Sequence, residues 1–177
     1  MLQGMPVHRL NHAVLYVRDA ERSAAFYEEM LGFHKVNAFP GGAFLQAPGS
    51  TNDHDVAFFT IGEDAGPSEA GRGTVGLYHL AWEVDTLDEL GELRDKLQAA
   101  GALVGATDHG TTKALYAHDP DGLEFELSWL VPLDLIDDEA RANRSAIRPL
   151  DVHREIARYG GSTLSGVGVS RPAPITG

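Results

Sequence analysis

The 177-residue chain contains one pattern written twice, and that repetition limits its fold more than any other feature. The first copy opens on Arg9 to Val17 (RLNHAVLYV), followed by Arg18 and Asp19 and a helical stretch ending at Leu31 and Gly32. The second opens on Leu77 to Val84 (LYHLAWEV), followed by Asp85 and Thr86 and a helical stretch ending at Ala100 and Gly101. Each opening run is rich in β-branched and aromatic residues and reads as a strand. In the second helix Leu87, Leu90, Leu93 and Leu97 share one face; the first helix carries Ala24, Ala25, Phe26 and Leu31. Ser23 lies near the start of the first helix, and Gly32 and Gly101 stand where left-handed caps belong. Strand-like runs follow each helix: 33–36, 43–46 and 55–61, then 103–105, 113–118 and 123–129. The last two are joined by Asp119, Pro120, Asp121 and Gly122, the composition of a type I turn and hence of a hairpin. The pattern predicts an α+β chain of two βαβββ modules, about 8–61 and 77–131, forming a curved mixed sheet around a site.

This reading makes 1–132 the main domain, with the Gly- and Pro-rich stretch 62–76 connecting its modules. Residues 133–177 form an extension. In it 134–145 is acidic first and Arg-bearing later, which suits a surface helix and its dipole. A short helix is expected over 151–159, then a Gly-, Ser- and Pro-rich tail from Gly160.

Charge and composition narrow the function. The formal net charge is −12, which argues against a nucleic-acid partner. No apolar run reaches bilayer length, and the first six residues do not resemble a signal peptide, so no membrane is expected and the cytoplasm is the expected location. The chain has no cysteine, so any metal must be held by nitrogen and oxygen.

His12 and His79 occupy the same place in the two copies. A lone histidine at a strand start is usually a half-buried structural residue; recurrence at equivalent positions points to a paired role. Near the end of the second copy, Glu124 and Glu126 share one strand face, alternating with Leu123, Phe125 and Leu127. A carboxylate held inward needs a special role, because an unpaired buried charge is costly. Two histidines and one carboxylate make a facial triad with open positions, the arrangement of non-haem Fe(II) oxygenases.

The runs Asn11-His12-Ala13-Val14, Tyr78-His79-Leu80-Ala81 and Asp119 to Gly122 followed by Glu126-Leu127 resemble the vicinal-oxygen-chelate superfamily. That superfamily includes glyoxalase I, fosfomycin-resistance thiol transferases, bleomycin-resistance binding proteins and type I extradiol dioxygenases. The resemblance implies metal ligands His12, His79 and Glu126, with Glu124 the alternative carboxylate. Three further pieces resemble small single-unit extradiol catechol dioxygenases. His54-Asp55-Val56-Ala57 matches the run whose histidine handles bound oxygen and protons. Asp108-His109-Gly110 matches a segment whose histidine faces the substrate or the hairpin tyrosine. Tyr116, ten residues before Glu126, matches the tyrosine beside the metal. The resemblance thus implies catalytic His54, His109 and Tyr116, Fe(II) or alternatively Mn(II), and ring opening of a catechol-like diol by O2. A protonated His54 would stabilise negative charge developing on oxygen and return a proton. Members of this superfamily often pair, so a homo-oligomer is expected. One departure is Asp53, where the family often has a further histidine.

Other functions on the same scaffold are weighed against this one. A glyoxalase-type isomerase wants a second carboxylate late in the first module, where Phe58, Phe59 and Thr60 stand. A fosfomycin-type transferase wants a basic cluster, and the second half offers mainly Lys113. A non-catalytic binder of aromatic ligands commonly lacks the metal ligands. Phe39, Phe44, Phe58, Phe59 and Trp129 are available to wall an apolar pocket, although core packing is the commoner use. Glu83 shares strand parity with His79 and is a further pocket candidate. Asp55 reads as a turn or sheet-edge carboxylate, and His8, His34, His118 and His153 as ordinary surface histidines.

Overall fold

Helix and strand boundaries in this chain follow from a few capping residues. The computed structural model describes residues 7, 9–71, 73–144 and 146–166, so His8 and the tail beyond 166 lie outside the described residues. The chain divides into two units, Met1–Pro67 and Ser68–Gly177.

Unit 1 runs β1 (Ala13–Val17), α1 (Ala20–Leu31), β2 (His34–Phe39), β3 (Gly42–Gln46) and β4 (Val56–Thr60). Its four-stranded sheet has the order β1-β4-β3-β2. β1 and β4 are parallel and the other pairs antiparallel. Asp19, not Ser23, caps α1: its carboxylate accepts the backbone N–H groups of Glu21 and Arg22. Gly32 ends the helix at φ 73°, a conformation that only glycine adopts cheaply. Ala20, Ser23, Ala24 and Tyr27 form the buried face, while Ala25 is exposed. That face meets Leu45, Val56 and Phe58, all fully buried.

Unit 2 repeats the plan with β5 (His79–Glu83), α2 (Leu87–Ala99), β6 (Leu103–Asp108), β7 (Thr112–His118) and β8 (Glu124–Leu130). Thr86 and Glu89 form a reciprocal capping box at the start of α2. Leu87, Leu90 and Leu97 are fully buried, each stabilising the unit by roughly 1.5–3 kcal/mol. They belong to a core that includes Phe125, Leu127 and Trp129. At the predicted hairpin, the Gly122 N–H donates to Asp119 O, and Asp119 Oδ1 accepts the N–H groups of Asp121 and Leu123.

The extension joins this second unit. A 3-10 turn, Leu133–Leu135, precedes α3 (Asp138–Ala142), β9 (Arg148–Pro149) and α4 (Val152–Tyr159). The expected helix over 134–145 is therefore split and short. β9 was not foreseen; it adds a fifth strand beside β6, giving the order β5-β8-β7-β6-β9. The segment from Gly160 to Gly166 is also no loose tail. Trp129 Nε1 donates to Thr163 O at 3.0 Å, the Leu130 N–H to Ser165 Oγ at 2.8 Å and the Gly166 N–H to Leu130 O at 3.0 Å. The chain is α+β, with one mixed sheet in each module. Among the described residues, no helix is long and apolar enough to cross a membrane.

Candidate functional site

In both sheets one face packs against a helix, and the candidate residues lie on or beside the other. In unit 2 the parallel register pairs His79 with Glu124 and Ala81 with Glu126. The antiparallel register pairs Tyr116 with Glu126 and Ala114 with Ser128. Strand alternation then sends Phe125, Leu127 and Trp129 into the core, and His79, Glu124, Glu126, Ser128 and Tyr116 to the opposite face. Both glutamates point the same way, as their spacing required. His79 Nε2 lies 3.0 Å from Glu126 Oε2. His79 Nδ1 and Glu124 Oε1 are buried atoms 3.5 Å apart, without a hydrogen-bond partner among the described residues. Ser128 Oγ donates to Glu126 Oε1 at 2.5 Å and fixes the carboxylate's rotation.

Tyr116 and His109 meet on the same unit. Tyr116 Oη and His109 Nε2 are 3.1 Å apart, and His109 Nδ1 lies 2.8 Å from Ala146 O. A carbonyl oxygen only accepts, so Nδ1 carries the proton. In the neutral ring Nε2 is then an acceptor, and the Tyr116 hydroxyl donates to it. Burial, with the nearby charge of Glu126, pushes the Tyr116 phenol up to about 12. Tyr116 is therefore a neutral phenol at ordinary pH.

The loop carrying His109 is built around Gly110, at φ 76°. A Cβ there would lie 2.5 Å from Ala140 O, so both the turn and the close approach of α3 require glycine. Beneath the loop is a buried ion network. Lys113 Nζ lies 2.5 Å from Asp108 Oδ1 and 3.0 Å from Glu155 Oε2. Arg148 Nη2 donates to Asp108 Oδ2 at 2.9 Å. Burial alone would raise the Asp108 carboxyl; hydrogen bonds from Lys113, the Gly110 N–H and Arg148 outweigh it and hold the group below the usual carboxylate range. Lys113 is thus spent in the core and offers nothing to an anionic ligand.

In unit 1, His12 precedes β1, and its Nδ1 is 2.7 Å from Asn11 Oδ1. The amide oxygen accepts, leaving Nε2 with its lone pair. His12 and His54 rings stand 4.4 Å apart, and Phe44 meets His54 edge-on at 5.0 Å. His54 Nδ1 lies 2.9 Å from Asp53 Oδ2, so Asp53 orients His54. Asn52 Nδ2 donates to Asn11 O at 2.8 Å and ties the two histidine-bearing segments together. Asp55 is a turn carboxylate, accepting from the Ala47 N–H, Ser50 Oγ and Asn52 Nδ2.

Unit 1 therefore brings together His12 and His54, and unit 2 brings together His79, Glu126, Tyr116 and His109. Among the described residues, no group of three or more His, Asp or Glu side chains stands ready to hold a metal ion. The donor set nevertheless fits a divalent ion: imidazole nitrogens and carboxylates, with His79 Nδ1 and Glu124 Oε1 buried and unsatisfied. Glu83 is taken up elsewhere, accepting from Ser165 Oγ at 2.9 Å. Phe58 and Trp129 belong to the core. Phe39, Phe44 and Phe59 cluster on the face of the unit 1 sheet away from α1, with ring centroids 5.9–6.1 Å apart.

A family model described as the glyoxalase/bleomycin resistance protein/dioxygenase superfamily matches residues 9–127. The chain belongs to that superfamily. Its relatives include a catechol-2,3-dioxygenase of Bacillus subtilis, 31% identical over 67% of this chain and 40% of that protein. They also include biphenyl-2,3-diol 1,2-dioxygenase 3 of Rhodococcus globerulus, 36% identical over 67% of this chain and 62% of that protein. A lactoylglutathione lyase of Neisseria meningitidis is 33% identical over 67% of this chain and 88% of that protein. The chain thus spans less than two thirds of the two dioxygenases. A glyoxylase/bleomycin resistance protein/dioxygenase domain from Frankia matches in fold, with TM-score 0.58, 22% identity and coverage of 70% and 92% of the two chains. The superfamily consists mostly of metal-dependent enzymes and holds both dioxygenases and lyases.

Some contributors were not singled out from sequence. Ser128 was legible in principle, since two residues after Glu126 on a strand is the same face. The carbonyl of Ala146 carried no signal, because any residue supplies one.

Proposed function

We propose that the chain is a divalent-metal-dependent extradiol dioxygenase that opens a catechol-like diol with O2, Fe(II) being the first choice of metal and Mn(II) the second. The observation that carries this reading is the Tyr116–His109 hydrogen bond on the sheet face that bears Glu126. The proposed ligands are His12 of unit 1 and His79 and Glu126 of unit 2. When bound, the metal would polarise both diol oxygens and bring O2 beside the ring.

The protein residues do the rest. Ser128 and His79 set the two oxygens of Glu126. Tyr116 stays protonated and gives its hydrogen to His109, so its oxygen lone pairs accept a hydrogen bond from a diol hydroxyl. His54, oriented through Nδ1 by Asp53, has Nε2 available to take and return a proton. Phe39, Phe44 and Phe59 offer an apolar wall to an aromatic ring.

The internal repeat supports this reading over the lyase. In the parallel registers, Val14 pairs with Ala57 as Ala81 pairs with Glu126. Ala57, and not the stretch from Phe58 to Thr60, is therefore the first-copy counterpart of Glu126, and it supplies no carboxylate. This supports a three-ligand centre over the four-ligand lyase type. By the same reading 133–177 is an extension of a two-module domain, and a cytoplasmic homo-oligomer remains the expected state.

The test is anaerobic purification, metal analysis and a panel of catechols in an oxygen electrode. Near one iron per chain, O2 uptake and a yellow ring-opened product are expected. A metal-free chain that consumes no O2, or one that forms lactoylglutathione, overturns the proposal. His54→Phe should abolish most turnover and leave metal content unchanged; loss of metal would refute the assignment of roles.

A further inference from the structure

We infer that the C-terminal extension acts as a clamp that sets the hydrogen-bond polarity of Tyr116 through the tautomer of His109. This rests on the dioxygenase reading only for its catalytic consequence.

Among the described residues, the contacts that hold His109 from outside its own hairpin come from beyond the family-matched residues 9–127. Ala146 O takes the Nδ1–H at 2.8 Å. Arg148 grips Asp108, the residue before His109, at 2.9 Å, and the two are register partners across β6 and β9. The Leu150 N–H donates to Ala106 O at 3.2 Å. Glu155 of α4 pairs with Lys113, which holds the other oxygen of Asp108. Asp108 Oδ1 in turn accepts the Gly110 N–H at 2.8 Å, and Gly110 lies against Ala140 and Asn143. The two residues flanking His109 are thus both held, and the ring itself is held at Nδ1.

The ring bond has a directional result. With Nδ1–H committed to a carbonyl, neutral His109 presents a lone pair at Nε2 and Tyr116 must donate to it. The Tyr116 oxygen then faces a substrate as an acceptor. If the carbonyl withdrew, the Nε2–H tautomer would become available, and His109 would donate to Tyr116. The phenol hydrogen would turn outward, and an acceptor for a diol O–H would become a donor. Arg148, which touches neither Tyr116 nor a proposed metal ligand, is on this view a positioning residue.

The test uses the full chain labelled with 15N-histidine. In the wild type, His109 should show a protonated Nδ1 and an unprotonated Nε2. Arg148→Gln should move both nitrogen shifts toward a tautomer mixture and lower kcat for a catechol about 10-fold, with KM and Mn(II) affinity unchanged. Arg148→Lys, which keeps the charge, should restore most of both. An Nε2–H tautomer in the wild type refutes the inference. So does a Gln variant with unaltered His109 shifts, whatever its activity. A wild-type chain with the expected tautomer but no diol turnover refutes the dioxygenase reading and leaves the clamp standing.

Discussion

Replacing Lys113 with methionine removes the one cation shared by two buried carboxylates. The side chains of Lys113, Asp108 and Glu155 are 1%, 8% and 3% exposed. The two acids do not suffer equally. Asp108 keeps hydrogen bonds from the Gly110 N–H and Arg148. Among the described residues, Glu155 keeps only Arg154 Nε at 3.9 Å, on a side chain 60% exposed. The stranded charge is therefore that of Glu155, and breaking such a pair costs about 3–5 kcal/mol. Methionine matches the aliphatic stem of lysine, so lost packing contributes little. Removing both charges, in Lys113→Met with Glu155→Leu, should recover at least about 2 kcal/mol of the loss, since apolar replacement of a buried pair is often neutral.

Urea unfolding at pH 7.5 measures both quantities. A loss under about 1 kcal/mol, or a double variant no better than the single one, would show that the pair is not an electrostatic unit.

Three further outcomes follow from the same geometry. Gly110→Ala must adopt φ 76° and meet Ala140 O, so it should lose about 2 kcal/mol or more in urea unfolding; an unchanged midpoint would refute the close packing of α3. Ser128→Ala frees one oxygen of Glu126 and should weaken Mn(II) affinity about 10-fold by calorimetric titration; unchanged affinity would remove Glu126 from the ligand set. Asp108 has a depressed carboxyl, so its stabilisation is full above the ordinary carboxylate range and is lost as pH falls through the depressed value. Asp108→Asn should thus be less stable than the wild type at pH 6, with the difference shrinking toward pH 2 in thermal unfolding; a constant difference would contradict this.

The fold was legible because its signals are local and repeated. Gly32 and the turn from Asp119 to Gly122 each act within a few residues of themselves, and each does so in the structure; the Thr86–Glu89 capping box is as local but was not singled out. The matching faces of Glu124 and Glu126 were legible for the same reason. What escaped depends on contacts across long separations. Arg148 reaches Asp108 across forty residues, and Ser165 reaches Glu83 across eighty-two. No periodicity marks such pairs. The burial of Lys113 was hidden for a related reason: lysine is normally a surface residue, and Asp108 and Glu155 together explain its place in the core.

The two copies also explain why the scaffold is easier to read than its chemistry. In each, the stabilising face is the one against the helix: Leu45, Val56 and Phe58 in unit 1, and Phe125, Leu127 and Trp129 in unit 2. The opposite face supports neither core and is free to diverge. In unit 1 it carries Val14, Tyr16, Phe44 and Phe59, with Tyr16 73% exposed. In unit 2 the positions matching those four carry Ala81, Glu83, Tyr116 and Ser128, and the same face also bears His79 and Glu126. Ala57 and Glu126 stand at one point of the pattern, and only the second can hold a cation. Substituting Ala57 with glutamate would test how much chemistry that single position decides. If the lyase type differs by a fourth ligand, Ala57→Glu should raise affinity for a divalent ion and suppress O2 uptake, because one open position is lost. Unchanged affinity would mean that the first copy no longer presents this position to the metal.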